Sequence, residues 1–218
     1  MRSTIGQLMP TGIRWLYRLT GWRPTDEAIS SLGRRFRSLR CVPMRMKDGR
    51  RLYLDLRNPV SVPYLLRGSF PCEETETALV RRIVRAGDTA IDVGANVGWY
   101  ASLLCHEVGP RGRVYAFEPN RRAARLLRRL APDYSQLNVR TAAVADQQGW
   151  ADFFIPDNWI SGSLDGCEDT AEKQRTRLIT LDEVVRREKI EGIDFIKLDA
   201  EGGEPEVLDG ATEVLNRQ

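Results

Sequence analysis

The amino-acid sequence predicts an α/β fold in which a mostly parallel sheet carries helices on both faces. The main observation is a rhythm that begins at Asp88, where a short buried strand, a glycine turn and a helix follow one another repeatedly. The chain has 218 residues, of which 42% are apolar, and this is enough to build the core of one ordinary domain with a short extension. We therefore expect a single sheet platform preceded by a small N-terminal part.

The N-terminal part is predicted to be a helix followed by a β-hairpin. Apolar residues at helical spacing indicate an amphipathic helix from about Thr11 to Thr20. It either packs on its own domain, which we prefer, or makes a weak contact with a membrane surface. Alternating apolar residues from Arg40 to Leu56, around a turn at 47–49, indicate a hairpin. We expect residues 1–63 to form this extension and residues 64–218 to form the sheet domain.

The elements of the sheet domain follow in order along the chain. A helix over Glu73–Arg85 is expected to turn Ala78, Leu79, Ile83 and Val84 inward. The later elements are the strand Thr89–Val93, the helix Trp99–Val108, the strand Val114–Phe117, the helix Asn120–Leu130, the strand Val139–Val144, extra strands at Asp152–Ile155 and Arg177–Ile179, a helix opened by a capping box at 180–183, the strand Ile193–Leu198 and a last helix with Pro205 in its first turn.

Composition excludes several classes of site. One histidine and four cysteines without a C-x-x-C pair argue against a zinc site, a disulfide framework and any multi-histidine metal centre, so no metal is expected. No apolar stretch reaches the ~18 residues of a membrane span and no secretory leader is recognisable, so we expect a cytoplasmic protein. The net charge of +3 is polarised, with +8 over residues 1–50 and −9 over residues 151–218. The basic residues are scattered, and charge alone selects no partner.

The segment between the strand Thr89–Val93 and the next helix is the strongest candidate for a ligand site. Gly94, Asn96 and Gly98 form a G-x-N-x-G turn, and Asp92 lies two residues before its first glycine. A glycine turn of this kind lets a backbone approach a nucleotide-like ligand, although it can also be a tight connection without one. The turn is one residue shorter than a dinucleotide motif, and its carboxylate suits an ammonium group better than a pyrophosphate.

A carboxylate at the end of the second strand completes this candidate site. Glu118 follows Gly98 by twenty residues and is placed to accept hydrogen bonds from both hydroxyls of a ribose. Such a residue occurs in sites for NAD and for S-adenosylmethionine alike. Glu118 therefore supports an adenosine-containing ligand without deciding between these two.

Four blocks of the sequence form a recognisable set. They are Ile91-Asp92-Val93-Gly94-Ala95-Asn96-Val97-Gly98, Ala116-Phe117-Glu118-Pro119, Ala143-Val144-Ala145-Asp146, and Ile196-Lys197-Leu198-Asp199-Ala200-Glu201-Gly202-Gly203-Glu204. Together these blocks closely resemble the FkbM-type S-adenosylmethionine-dependent methyltransferases. The resemblance implies a Rossmann-like class I methyltransferase sheet, S-adenosylmethionine as cofactor, and O-methylation of a hydroxyl on a sugar, glycolipid or secondary metabolite. It implies cofactor contacts from Asp92, Gly94, Ala95, Asn96, Gly98, Glu118, Pro119 and Ala143.

The last block supplies the candidates for catalysis. Asp199 ends a parallel strand on the ligand side of the sheet, and Glu201 follows two residues later. Either carboxylate is a candidate general base for an acceptor hydroxyl, with Asp199 preferred, and Lys197 is expected to pair with one of the carboxylates. His106 is expected at a helix surface, away from the chemistry. The arginines of the helix Asn120–Leu130 are interpreted as a solvated face, with a phosphate-binding stripe as the alternative.

The chain departs from the resemblance at its end. Class I methyltransferases continue with further strands beyond the position of Gln218, so we expect a shortened member that lacks C-terminal strands and part of its acceptor pocket. Two alternatives to a methyltransferase stay open, an NAD(P)-dependent oxidoreductase and an adenosine-ligand binding module with impaired catalysis. The expected partner is a small-molecule or glycan acceptor, and no nucleic acid is expected.

Overall fold

The structure is a computed structural model that describes residues 26–58, 61–68, 73–156, 162–164 and 172–216. The helix predicted over Thr11–Thr20 lies outside these residues. The chain divides into two compact units, residues 1–76 and residues 77–218. The expected domain limits, 1–63 and 64–218, stay a prediction. No helix in the described part of the chain is long and apolar enough to cross a membrane.

The described part of the first unit contains the predicted hairpin. Helix α1 (Asp26–Arg35) and a 3-10 turn precede strands β1 (Val42–Arg45) and β2 (Arg51–Leu54), which pair antiparallel, and helix α2 (Ser61–Arg67) follows. Apolar side chains alternate along both strands and are buried, as the period-two pattern requires. Gly49 has φ +89° in the connecting turn. The hairpin prediction is confirmed.

Helix α3 (Glu74–Ile83) forms where the sequence predicts a helix, but of the four residues predicted to face inward only Val84 is buried. Leu79 is 55% exposed, and Ala78 and Ile83 are also exposed, whereas Thr77, Val80 and Val84 are buried. These buried positions follow the i, i+3, i+7 spacing of one helix stripe. Because the first member of that stripe is a threonine, the apolar pattern points to the opposite side of the helix.

The central sheet has four parallel strands. They are β3 (Thr89–Val93), β4 (Arg113–Phe117), β5 (Leu137–Arg140) and β9 (Phe195–Leu198), in the order β5-β4-β3-β9. Since β3 is inside the sheet and pairs with β4 and β9, the chain that leaves its carboxyl end emerges between the ends of its two neighbours. This is a Rossmann-like α/β fold, as predicted.

Helices cover the central sheet on both faces. They are α4 (Trp99–Val108), α5 (Arg121–Leu127, continued by a 3-10 turn over Arg128–Leu130), α6 (Leu181–Glu188), α7 (Glu204–Asp209) and α8 (Thr212–Leu215). On one face, Ile91 and Val93 of β3 pack into a buried cluster with apolar side chains of α6, α7 and α8. The alternate residue Asp92 points to the other face, towards α4. Thr180 caps α6 by accepting the N–H of Glu183 at 3.1 Å, which confirms the N-terminal cap of the predicted capping box.

A second sheet corrects two details of the prediction. The expected strand Val139–Val144 is divided between two strands. Strand β5 stops pairing with β4 after Arg140, and the chain then forms β6 (Ala143–Val144), which pairs with β8. The two extra strands are longer than predicted, β7 (Gly149–Ile155) and β8 (Glu172–Ile179), and they pair antiparallel. The inward residues of β8 include polar ones, so its period-two pattern is hidden in the sequence.

Candidate functional site

The turn after β3 is held tightly to the end of β4. The backbone N–H groups of Gly94 and Ala95 both donate to the carbonyl oxygen of Phe117, at 3.0 and 2.9 Å. The N–H of Gly98 donates back to the oxygen of Ala95 at 2.9 Å. The turn is therefore a closed, internally bonded structure, and α4 begins directly after it.

Two glycines of the turn are required by close packing as well as by conformation. Gly94 has φ +72°, and a Cβ on it would lie 1.9 Å from the carbonyl oxygen of Asp199. Gly98 has φ +97°, and a Cβ there would lie 2.6 Å from a methyl carbon of Leu130 on the segment that continues α5. Side chains at these positions would push the turn away from the loop after β9 and from α5. Asn96 also has a left-handed backbone, with φ +48°.

Glu118 links this turn to the start of α5. Its Oε2 accepts the backbone N–H of Asn96 and its Oε1 accepts that of Asn120, both at 2.7 Å. The side chain is buried, and burial raises the pKa of Glu118 to about 7 although the two N–H bonds oppose this shift. Each carboxylate oxygen retains a second acceptor site, so the group can still accept hydrogen bonds from a ligand.

Gln174 is a residue of this region that the sequence did not reveal. Its amide nitrogen donates to the carbonyl oxygen of Pro119 at 2.7 Å, and its oxygen accepts the N–H of Arg121 at 3.1 Å. Strand β8 thus holds the segment that follows Glu118. The sequence feature that could have indicated Gln174 is its position two residues before Thr176 and four before Leu178, which places it on the buried side of β8.

Asp92 lies beneath the turn and is fully buried. Its Oδ1 is 3.5 Å from Nζ of Lys197 on the neighbouring strand β9, whose side chain is 14% exposed. Burial raises the pKa of Asp92, and the ammonium group of Lys197 opposes part of that change. The carboxylate has no exposed surface to offer a ligand, so its expected contact with an amino-acid head group stays a prediction.

Lys197 connects four groups around the turn. Its ammonium lies 3.1 Å from the carbonyl oxygen of Gly94, 3.4 Å from that of Val93 and 3.2 Å from Oδ2 of Asp199. Burial by itself lowers the pKa of Lys197, but the carboxylates of Asp92 and Asp199 outweigh it and the net pKa is raised. The expected pairing of Lys197 with a carboxylate is confirmed, and it involves two carboxylates rather than one.

The loop after β9 presents the candidate bases. Asp199 is 60% exposed at the carboxyl end of the strand. Glu201 has φ +52° and is exposed, and partial burial with the nearby charges of Asp199 and Glu204 raises its pKa. Glu204 has a structural role, because its carboxylate accepts the N–H groups of Ala200 and Gly202 at 2.6 and 3.1 Å. Hydrogen bonds from its own backbone N–H and from that of Ala200 lower the pKa of Glu204.

The remaining candidates are less well placed for contact with a ligand. Ala143 is buried in β6 against Ala145 and Leu178, and Pro119 is half-buried with its carbonyl bound by Gln174. Their contacts with a cofactor stay predictions. His106 is exposed on α4, as expected. The described residues contain no group of three His, Cys, Asp or Glu side chains arranged to hold a metal ion.

Comparison with known proteins identifies the family. The model of the methyltransferase FkbM domain matches residues 92–218, which run from the buried Asp92 through the glycine turn, Glu118 and the Asp199 loop. The chain belongs to the FkbM methyltransferase family. This match covers more than half of the chain and includes every candidate site residue named above.

Individual proteins that are similar to this FkbM methyltransferase share only about a quarter of its residues over the matched part. The chain is 26% identical to the 2-O-methyltransferase NoeI of Sinorhizobium fredii over 156 residues, which is 64% of this chain, and it spans 63% of that relative's length. A structure of Aeropyrum pernix fibrillarin with bound S-adenosylmethionine is 27% identical, with a TM-score of 0.29 over 32% of each chain. An S-adenosylmethionine-dependent O-methyltransferase of Thermotoga maritima is 22% identical, with a TM-score of 0.29 over 31% of this chain and 28% of that one.

Proposed function

We propose that this chain transfers a methyl group from S-adenosylmethionine to a hydroxyl oxygen of a sugar, glycolipid or secondary metabolite. The observation that carries the choice of ligand is the bonding of the glycine turn. The N–H groups of Gly94, Ala95, Asn96 and Gly98 all have partners within the protein, and the partner of Asn96 is the carboxylate of Glu118. Membership of a methyltransferase family supports the reaction.

The bonding of the turn argues against a dinucleotide. A pyrophosphate is bound by free backbone N–H groups at a glycine turn, and this turn has already used four of them. The NAD(P)-dependent oxidoreductase is therefore the weaker hypothesis.

The residues present suit an adenosine ligand with a positively charged sulfonium. Glu118 has spare acceptor capacity for the two ribose hydroxyls, and Asn120 orients it through a 2.7 Å hydrogen bond. When bound, S-adenosylmethionine supplies an electrophilic methyl group. The protein supplies the turn that positions it, and the negative carboxylate of Asp199 at the neighbouring strand end favours its positive charge.

Asp199 is our candidate for the general base. An alcohol oxygen becomes a good nucleophile only as its proton leaves, and the exposed carboxylate of Asp199 would accept that proton while a carbon–oxygen bond replaces the carbon–sulfur bond of the methyl donor, which would leave as S-adenosylhomocysteine. Lys197 fixes one oxygen of Asp199, which leaves the other free to face the acceptor. Glu201, with its raised pKa, is the alternative base on the same loop.

The acceptor class rests on family membership and on the relative NoeI, whose name is that of a 2-O-methyltransferase. A hydroxyl on a sugar ring is an acceptor consistent with the family and with the name of that relative. The chain spans less than two thirds of that relative, so the acceptor is tested on the chain as it exists, with a panel of free and lipid-linked monosaccharides.

Binding is tested first, by titration calorimetry with S-adenosylhomocysteine and NAD side by side. We expect the former to bind and the latter not to bind. Glu118→Ala should weaken binding of S-adenosylhomocysteine about tenfold or more, because it removes charge-assisted hydrogen bonds of about 1.5 to 3 kcal/mol. Tighter binding of NAD would overturn the proposal. Unchanged affinity in a folded Glu118→Ala variant would place the adenosine site elsewhere.

Catalysis is tested next, by transfer of a radiolabelled methyl group to the sugar panel. Asp199→Asn should lower kcat by at least about 10²-fold with little change in affinity for S-adenosylhomocysteine, because loss of a general base typically costs ~10² to 10⁴ in rate. Glu201→Gln is the matched control and should retain most activity. If Glu201→Gln is the inactive variant, the two roles are reversed. If the chain binds cofactor but methylates no acceptor, a binding module with impaired catalysis is the better description.

A further inference from the structure

An open groove on the surface of the second unit is lined mainly by arginines. Its volume is about 570 Å³. The lining residues are Arg121, Arg125, Arg128, Arg129 and Thr141. None of them is among the candidate cofactor and base residues named above.

The spacing of the arginines places them on one side of α5 and its 3-10 continuation. Positions 121, 125 and 128 are separated by four and three residues, which brings side chains onto one helix face, and Arg129 lies at the edge of the same stripe. The opposite face is buried. It consists of Ala123, Ala124, Leu126, Leu127 and Leu130. The segment is thus anchored by an apolar stripe and exposes a continuous basic one.

The charge of this stripe is not neutralised within the described part of the chain. Arg121 donates to the carbonyl oxygen of Arg175 at 3.0 Å, and Arg128 donates to the hydroxyl of Thr141, so both meet uncharged oxygens. The available carboxylates pair with flanking residues, as Glu172 does with Arg122 and Glu188 with Arg140. No salt bridge among the described residues includes any of the four lining arginines.

An uncompensated arginine stripe destabilises the free protein. Residues 121–130 contain five arginines and no acidic residue, and like charges three or four residues apart weaken a helix. An anion in the groove would relieve this repulsion. The groove therefore has both the charge and the shape of an anion site, whereas isolated surface arginines have only the charge.

We propose that this groove binds a phosphorylated small molecule through its phosphate groups. Guanidinium groups bind phosphate oxygens through paired N–H donors, and several of them converge here on one concavity. The Thr141 hydroxyl accepts a hydrogen bond from Arg128 and can donate its own proton to a phosphate oxygen. A concave groove of this volume suits a compact phosphate ester better than the flat surface of a membrane.

Titration calorimetry with inorganic pyrophosphate tests the proposal on the full chain at low salt. Arg125→Gln/Arg129→Gln removes two lining charges. Arg186→Gln/Arg187→Gln on α6 is the matched control, because both of its positions are exposed and it changes the net charge equally. We expect one pyrophosphate per chain, binding weakened about tenfold or more in the groove variant, and binding close to wild type in the control.

Several outcomes would overturn the proposal. They are the absence of pyrophosphate binding, an equal loss in the two variants, and binding only to phosphatidylglycerol vesicles or to single-stranded RNA in parallel titrations. If Arg125→Gln/Arg129→Gln does not fold, Arg125→Lys/Arg129→Lys tests the site instead, because it keeps the charge and removes the paired guanidinium donors. A partial loss of pyrophosphate affinity is then expected, and undiminished affinity refutes the site.

Discussion

Replacement of Lys197 by methionine tests whether the buried ion pair supports the glycine turn. The side chain is 14% exposed, and the Asp92 carboxylate beside it is fully buried. Removal of one partner of a buried pair leaves an uncompensated charge and typically costs about 3 to 5 kcal/mol. We expect Lys197→Met to lose about this much of its free energy of unfolding at pH 8.

The pH dependence separates this explanation from a simple packing defect. Without Lys197, the pKa of Asp92 should rise further above the value for an unfolded chain. The folded variant then binds a proton more tightly than the unfolded one, so its stability is greatest at low pH and falls as the pH rises towards the new pKa. The free energy of unfolding that Lys197→Met loses relative to the wild type should grow by about 1.4 kcal/mol per pH unit between the pKa of Asp92 in the wild type and its higher pKa in the variant. The cost should therefore be much smaller at pH 5 than at pH 8.

Urea unfolding followed by tryptophan fluorescence at both pH values measures this. Lys173→Met is the matched control, because Lys173 and its partner Asp152 are both exposed and such a pair contributes only about 0 to 1 kcal/mol. Asp92→Asn/Lys197→Met should recover most of the lost stability at pH 8, since no charge is then buried. A loss independent of pH, or a double variant as unstable as Lys197→Met, would refute the reasoning.

Two further predictions concern the turn and its carboxylate. Because burial raises the pKa of Glu118 to about 7 and the ionised group is the better acceptor for ribose hydroxyls, calorimetry should find that affinity for S-adenosylhomocysteine rises from pH 6 through about pH 7 and levels off near about pH 8. Glu118→Gln should abolish this dependence, and a pH profile retained in that variant would contradict the assignment. Gly94→Ala should cost more stability in urea unfolding than Gly49→Ala, because both glycines have positive φ but only Gly94 would place its Cβ 1.9 Å from a backbone oxygen. Equal costs of about 1 to 2 kcal/mol, the conformational penalty alone, would show that the backbone there moves freely.

Much of the fold could be predicted because its buried elements are apolar and separated by glycine turns. Strand β3 and helix α4 have the predicted limits, the hairpin formed as expected, and Thr180 caps α6. The errors occur where polar residues occupy buried positions. Thr77 hides the inward stripe of α3, and the inward Gln174 and Thr176 hide the length of β8. A periodicity argument counts apolar residues, so it fails where burial is stabilised by hydrogen bonds instead.

The candidate site was predicted less completely, because its residues interact across strands. The motifs located Asp92, Glu118 and Asp199, but the backbone partners of Glu118 and the two carboxylates around Lys197 depend on the strand order β4-β3-β9. Parallel pairing places Lys197 opposite Asp92 in the register, a relation that separation along the chain does not reveal. Local spacing therefore indicates candidate residues, and sheet register determines which of them touch.

The same register explains why the glycine turn and the Asp199 loop lie next to each other. Val93 is paired with Leu198, so the turn at Gly94 and the loop at Asp199 leave the sheet side by side. Lys197 then bonds both Gly94 and Asp199, and any side chain at Gly94 would strike the Asp199 carbonyl. A displacement of the turn must therefore displace the loop. If our proposal is correct, the segment that positions the cofactor and the carboxylate that receives the acceptor proton are held by a single lysine. Substitution of that lysine should then weaken binding of S-adenosylhomocysteine and slow methyl transfer together, whereas Asp199→Asn should slow the transfer with little change in that affinity.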